Sequence, residues 1–117
     1  MIDPKELRIG NVVERITVKA WSGTRKDIYT IRTGMDIFQC ADLNPIPITP
    51  EWLERLGFAV GKRSIYKDFG FFEVEYERDQ LYIGINEYQD SLYHIQYVHQ
   101  LHNLVYALTG QELIIKQ

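Results

Sequence analysis

The segment from Phe71 to Ile85 leaves the chain few ways to fold. From Phe71 to Glu77 apolar and acidic residues alternate: Phe72, Val74 and Tyr76 fall on one side, Glu73, Glu75 and Glu77 on the other. A period of two belongs to a strand, and it gives one face to a core and the other to water. Leu81, Ile83 and Ile85 resume the pattern after Arg78-Asp79-Gln80. This predicts an antiparallel hairpin with one buried face and one acidic, wet face. The glutamates also oppose pairing with a foreign strand. A sheet that is apolar on one side needs a cover. The end of the chain supplies one: Ile95, Val98, Leu101, His102, Val105 and Leu108 recur at spacings of three and four, and Gly110 follows. That pattern predicts a long C-terminal helix stopped at Gly110, with a short final strand over Glu112 to Lys116.

Upstream, Val12 to Trp21 is rich in β-branched residues and reads as a first strand. Ile16, Val18 and Ala20 share one side of it, Thr17 and Lys19 the other. Ser22-Gly23-Thr24 signals a turn. Lys26 to Arg32 and Met35 to Cys40 read as further short strands, broken near Gly34. Pro45 and Pro47 hold Asn44 to Ile48 extended. A short helix then starts, with Thr49 as N-cap, Pro50 in the first helical position and Glu51 at the positive end of the dipole. Trp52, Leu53 and Leu56 give it an apolar face, and Gly57 caps it. The expected fold is α+β: a strongly bent antiparallel sheet of about five to seven strands, or a small SH3-like barrel, with a short mid-chain helix and the long C-terminal helix packed on the sheet.

At 117 residues the chain is expected to form one domain, 1–117. It is 45% hydrophobic and 25% charged, a globular composition and not a disordered one. No run approaches the roughly 18 apolar residues of a membrane span. The N-terminus has no basic and apolar leader, and the single cysteine, Cys40, allows no internal disulfide. These features read as a cytoplasmic protein. The net charge of −3 is unevenly spread: residues 1–67 carry 11 Lys/Arg against 8 Asp/Glu, residues 68–117 carry 2 against 8. A bipolar molecule suits a charged partner or head-to-tail self-association.

No catalytic or metal motif stands out, and no cofactor is implied. His99 and His102 are three apart on the last helix, with His94 just before it. As a pair they could grip a metal in a small metal-dependent enzyme, but zinc needs three or four ligands, and Cys40 or Glu87 would have to be recruited. His102 also lies in line with the apolar stripe, as a core histidine would. Cys40 lacks a visible base and reads as a buried small hydrophobe. Glu73, Glu75 and Glu77 could serve acid–base chemistry or a cation; the strand period alone explains them as a solvated face. Arg15, Lys19, Trp21, Arg25 and Lys26, with Arg8, Tyr29 and Arg32, could form a basic, aromatic surface for nucleic acid. Of the 8 tyrosines, Tyr97 and Tyr106 fall where the helical pattern predicts exposure, and tyrosine is favoured at protein interfaces.

Three segments taken together resemble a known family. They are Leu7-Arg8-Ile9-Gly10-Asn11; Pro45 to Leu53 with Leu56-Gly57-Phe58; and Ile95 to Leu104 running on to Ala107-Leu108-Thr109-Gly110-Gln111-Glu112-Leu113. The family consists of small uncharacterised proteins of gut Bacteroidales and their phages and mobile elements. The resemblance spans nearly the whole chain and is looser between residues 60 and 90. It implies a bacterial or phage setting and brings no activity, substrate or catalytic residue. The function expected from all of this is a non-enzymatic protein-interaction module using Tyr97, Tyr106, Glu73, Glu75 and Glu77. Nucleic-acid binding through the basic N-terminal strands is the first alternative.

Overall fold

A computed structural model describes residues 7–19, 23–32, 43–113 and 115, and for 16–19 and 23–26 the backbone. Its strands are β1 (Val12–Lys19), β2 (Gly23–Thr30), β3 (Leu43–Asn44), β4 (Ala59–Val60), β5 (Ile65–Asp68), β6 (Glu73–Glu77), β7 (Gln80–Ile85) and β8 (Tyr88–Ser91). The helices are α1 (Pro50–Arg55) and α2 (Val98–Thr109). The fold is α+β, but among the described residues the strands divide between two sheets and form neither one bent sheet nor a closed barrel. A three-stranded sheet has the order β2-β1-β3, and a five-stranded antiparallel meander runs β4 to β8. The two prolines between the sheets supply a reason. Pro45 and Pro47 have no N–H to give to a ladder, so β3 ends at Asn44 and the chain leaves the first sheet.

The hairpin anticipated at residues 71–85 forms as β6 and β7, with Val74 opposite Ile83, Tyr76 opposite Leu81 and Glu77 opposite Gln80. Its two-residue loop, Arg78-Asp79, has φ of 52° and 63°. Positive φ at both loop positions is the type I′ turn whose twist matches the flanking strands. β2 spans Gly23–Thr30, earlier than the pattern of β-branched residues suggests, because all eight of its residues pair with β1, down to Lys19 opposite Gly23. The expected strand Met35 to Cys40 lies outside the described residues.

α1 begins as expected: Thr49 is extended, and its hydroxyl accepts the N–H of Trp52 at 3.2 Å. α2 begins at Val98 and not at Ile95. The preceding residues are held extended against the proline segment: Ile48 N–H bonds Gln96 O at 3.1 Å, Val98 N–H bonds Ile46 O at 2.8 Å, and Tyr97 bridges Pro47. Gln100 reaches back to accept the N–H groups of Gln96 and Tyr97, which satisfies amides the helix start would leave orphaned. Gly110, at φ 71°, closes α2 in the left-handed conformation. The expected final strand is absent at Glu112 and Leu113, which are irregular, and Leu113 is buried in the core.

The larger core joins Val98, Leu101 and Val105 of α2 to Phe72, Val74 and Leu81 of the meander and to Leu53 and Leu56 beside α1. α2 therefore covers one face of the five-stranded sheet, as its apolar stripe requires. A smaller cluster holds Leu7, Val13, Ile31 and Leu43, with Tyr29 against it. β1 serves both: Val12 belongs to the larger cluster and Val13 to the smaller, because neighbours in a strand point to opposite faces. Among the described residues no helix is long and apolar enough to cross a membrane.

Candidate functional site

Two regions carry chemistry, on opposite sides of the five-stranded sheet. The outer side is set by register. Tyr66 lies opposite Glu75, Glu75 opposite Tyr82 and Tyr82 opposite Ser91; in the next row Asp68, Glu73, Gly84 and Gln89 are neighbours. With Glu77 opposite Gln80, these rows hold acids and tyrosines and no lysine or arginine. Glu73, Glu75 and Tyr82 are half-buried by one another, and Tyr66 is exposed. A shallow hollow of about 210 Å³ opens beside them, lined by Glu73, Glu75, Gly84, Asn86, Glu87 and Tyr88 among others. Tyr88, at the edge of the sheet, is 83% exposed. The helix lies on the other face, and no described element covers this one.

The inner region is a polar junction between α2 and both ends of the chain. The guanidinium of Arg8 donates to both carboxylate oxygens of Glu112 and, through Nε at 3.1 Å, to Asn103 Oδ1. Asn11, fully buried, donates to the same Asn103 oxygen at 2.8 Å and accepts the backbone N–H of Arg8 at 2.6 Å. Tyr106 lies under the guanidinium, 4.1 Å from it to the ring centre, a cation–π arrangement. Gly10 makes room: a Cβ there would stand 3.2 Å from the Glu112 carboxylate, and its φ of 99° suits glycine.

His102 completes the junction. It is buried, its Nε2 lies against Oε2 of Glu112, and its Nδ1 has no hydrogen-bond partner among the described residues. Burial holds the imidazole below its usual pKa; the Glu112 carboxylate opposes that shift and the Arg8 charge adds to it. Glu112 is held below the usual carboxylate range, first by the hydrogen bonds from Arg8, against the opposing effect of burial. The junction thus pairs a buried imidazole, its pKa lowered by burial, with a carboxylate already engaged by arginine. Through Arg8, Asn103 and Glu112 the junction ties α2 to the segments before β1 and after α2.

The other sequence-predicted residues are scattered. Tyr97 caps α2, half-buried, and stacks on buried His99 at 6.0 Å, so it is not the exposed helical residue that the pattern suggests. Tyr106 is exposed on α2, away from the acidic face. His99 and His102 both point into the protein interior, and among the described residues no group of three or more His, Cys, Asp or Glu could hold a metal. His94 is exposed and lies edge-on to Tyr93. Arg15 is exposed on β1 with its guanidinium 5.1 Å from the Tyr29 ring; Lys19, Arg25 and Lys26 stand on the same hairpin, and Trp21 and Cys40 fall outside the described residues.

No family model, curated protein or solved structure matches this chain.

Residue patterns alone miss two features of the site. The Arg8–Glu112 pair joins positions 104 residues apart, so no local spacing signals it. Lys67 is different. Ile65, Lys67 and Phe69 share the inward side of β5 and its continuation, so a lysine interrupts an apolar alternation. It lines a groove of about 690 Å³ between the end of α1, β5, α2 and the C-terminal segment.

Proposed function

We propose that the chain is a non-enzymatic interaction module of a cytoplasmic, phage- or mobile-element-encoded protein, and that it docks a protein partner on the outer face of β5–β8. One observation carries this reading: a sheet face bearing Asp68, Glu73, Glu75 and Glu77 beside Tyr66 and Tyr82, with no basic residue in its paired rows, Lys62, Arg63 and Arg78 standing only at its Glu77 end, and no described element over it. Tyrosines supply apolar area with a polar tip, and the acids select a basic partner and speed its approach. The resemblance to small proteins of Bacteroidales and their phages supports the setting. The test is capture from a lysate with nuclease present, comparing the native chain with the triple variant E73Q/E75Q/E77Q. A partner held by the native chain and lost by the variant supports the reading. An unchanged set of captured proteins removes the face from it.

A second reading rests on the β1–β2 hairpin, a two-stranded ribbon with Arg15 exposed and Lys19, Arg25 and Lys26 along it. A ribbon of this kind fits the DNA major groove. Nucleic-acid binding here predicts affinity that falls steeply with salt and weakens in Arg15→Ala and Lys19→Ala. Salt-independent binding rejects it.

A further inference from the structure

β5 places Lys67 where a core residue belongs. The register sets Ile65 opposite Tyr76, Lys67 opposite Val74 and Asp68 opposite Glu73. Val74 is fully buried, and Ile65 and Phe69 pack against the larger core. Lys67 therefore belongs to the inner face of the sheet, whereas Asp68 belongs to the outer one. A lysine in such a place ordinarily lays its stem on apolar surface and carries its ammonium out to water. Here the side chain is half-buried. Its Nζ lies 3.5 Å from the carbonyl oxygen of Gly57 and 5.7 Å from the centre of the Phe69 ring, and it forms no ion pair among the described residues. Gly57, whose φ of 93° already calls for glycine, leaves it room: a Cβ there would lie 3.2 Å from Nζ.

This ammonium stands on the wall of the 690 Å³ groove, whose lining divides between an apolar side, with Phe69, Phe71 and Leu108, and a polar one, with Asp68, Thr109, Gln111 and Glu112. Leu56, Val105 and Leu113 form its buried floor, whereas Phe71 is 58% exposed and Leu108 37% exposed, so among the described residues these two supply its accessible apolar surface. Of its two acidic groups, Glu112 is paired with Arg8, and Asp68, which is exposed, accepts the N–H of Gly70 at 2.8 Å and keeps its charge. Lys67 is then the one cation of the lining outside an ion pair among the described residues, and with Asp68 beside it the groove suits at most a single negative charge placed on Nζ and disfavours a dianion such as a phosphate monoester. The volume is that of a small-molecule site.

We propose that this groove binds a medium-chain acyl carboxylate, its carboxylate on Lys67 Nζ and its chain along Phe69, Phe71 and Leu108. The site shares Asp68 with the edge of the acidic face proposed for a protein partner and is otherwise distinct from it, so E73Q/E75Q/E77Q and Lys67→Met test the two readings independently. Titration calorimetry on the intact chain tests it with three probes of one length: decanoate, decanol and decyltrimethylammonium. Saturable one-to-one binding of decanoate is expected, about tenfold or more tighter than decanol, with the cation weakest. Lys67→Met is expected to bring decanoate down to the level of decanol, and Lys67→Arg to keep most of the affinity. The three-probe comparison on the native chain needs no variant, so the proposal remains testable if Lys67→Met folds poorly. Absence of saturable decanoate binding, equal binding of decanol, or decanoate affinity unmoved in a folded Lys67→Met protein would overturn it.

Discussion

Glu112 is held by a residue from the start of the chain and one from α2, and substitutions around it should show what that costs to lose. The bidentate Arg8 contact is charge-assisted and geometrically specific, although Glu112 is 41% exposed. Glu112→Ala is expected to lower stability by about 1–2 kcal/mol, more than Gln111→Ala beside it; denaturant melts of the two decide this. Gly10→Ala is expected to cost about 1–3 kcal/mol, since it adds a Cβ against Glu112 at a positive φ. The same junction gives acid sensitivity a definite sign. His102 is held below its ordinary value of 6.5, so the unfolded chain takes up the proton first and stability falls as pH drops below about 6.5 toward the folded value. Glu112 is held below 4.5, so its contribution is present above that pH and lost as pH falls through its folded value. His102→Gln should flatten the decline just below pH 6.5 and leave the loss below 4.5; melts at stepped pH measure both.

The elements differ in how much of their geometry comes from their own residues. The β6–β7 loop places arginine and aspartate in left-handed backbone, which disfavours most side chains. Arg78→Asn keeps the Tyr76–Asp79 hydrogen bond, supplies a residue suited to the first position of a type I′ turn, and is expected to raise stability by roughly 0.5–1 kcal/mol. Thr49→Ala removes the cap of a six-residue helix and is expected to cost about 1 kcal/mol. Both changes are read as shifts in a melting curve. The start of α2 could not be read locally. Ile95 fits the apolar stripe, but Gln96, Tyr97 and Val98 bond to the segment Ile46–Ile48. A distant strand-like contact therefore overrides helical periodicity for one turn.

Across the whole molecule, two clusters of unequal size share β1. The larger contains residues from both helices and most of the meander, whereas the smaller has four buried members among the described residues. The chain is also extended, 54 × 28 × 25 Å with a radius of gyration of 15.3 Å, against about 13 Å for a sphere-like domain of this length. Fewer buried contacts give less protection against local opening. Native-state hydrogen exchange should therefore find the amides of β2 opening at lower free energy than those of β6 and β7. Equal protection in the two sheets would mean that β1 couples them into one unit.

By itself the sequence determined the elements whose causes are local. The alternation at 72–77 specified which face of the hairpin is apolar, the stripe from Ile95 to Leu108 specified the helix that covers it but not where that helix starts, and Thr49, Pro50 and Gly110 specified helix ends through backbone sterics and capping. Only the tertiary structure decided the rest. It divided the strands between two sheets, brought Arg8 to Glu112, turned His99 and His102 inward, separated Tyr97 and Tyr106 from the acidic face, and put an ammonium on the apolar wall beside Gly57. Each of those depends on groups distant in sequence whose desolvation and hydrogen bonding are settled when the elements pack, and no local pattern records which distant residues will meet.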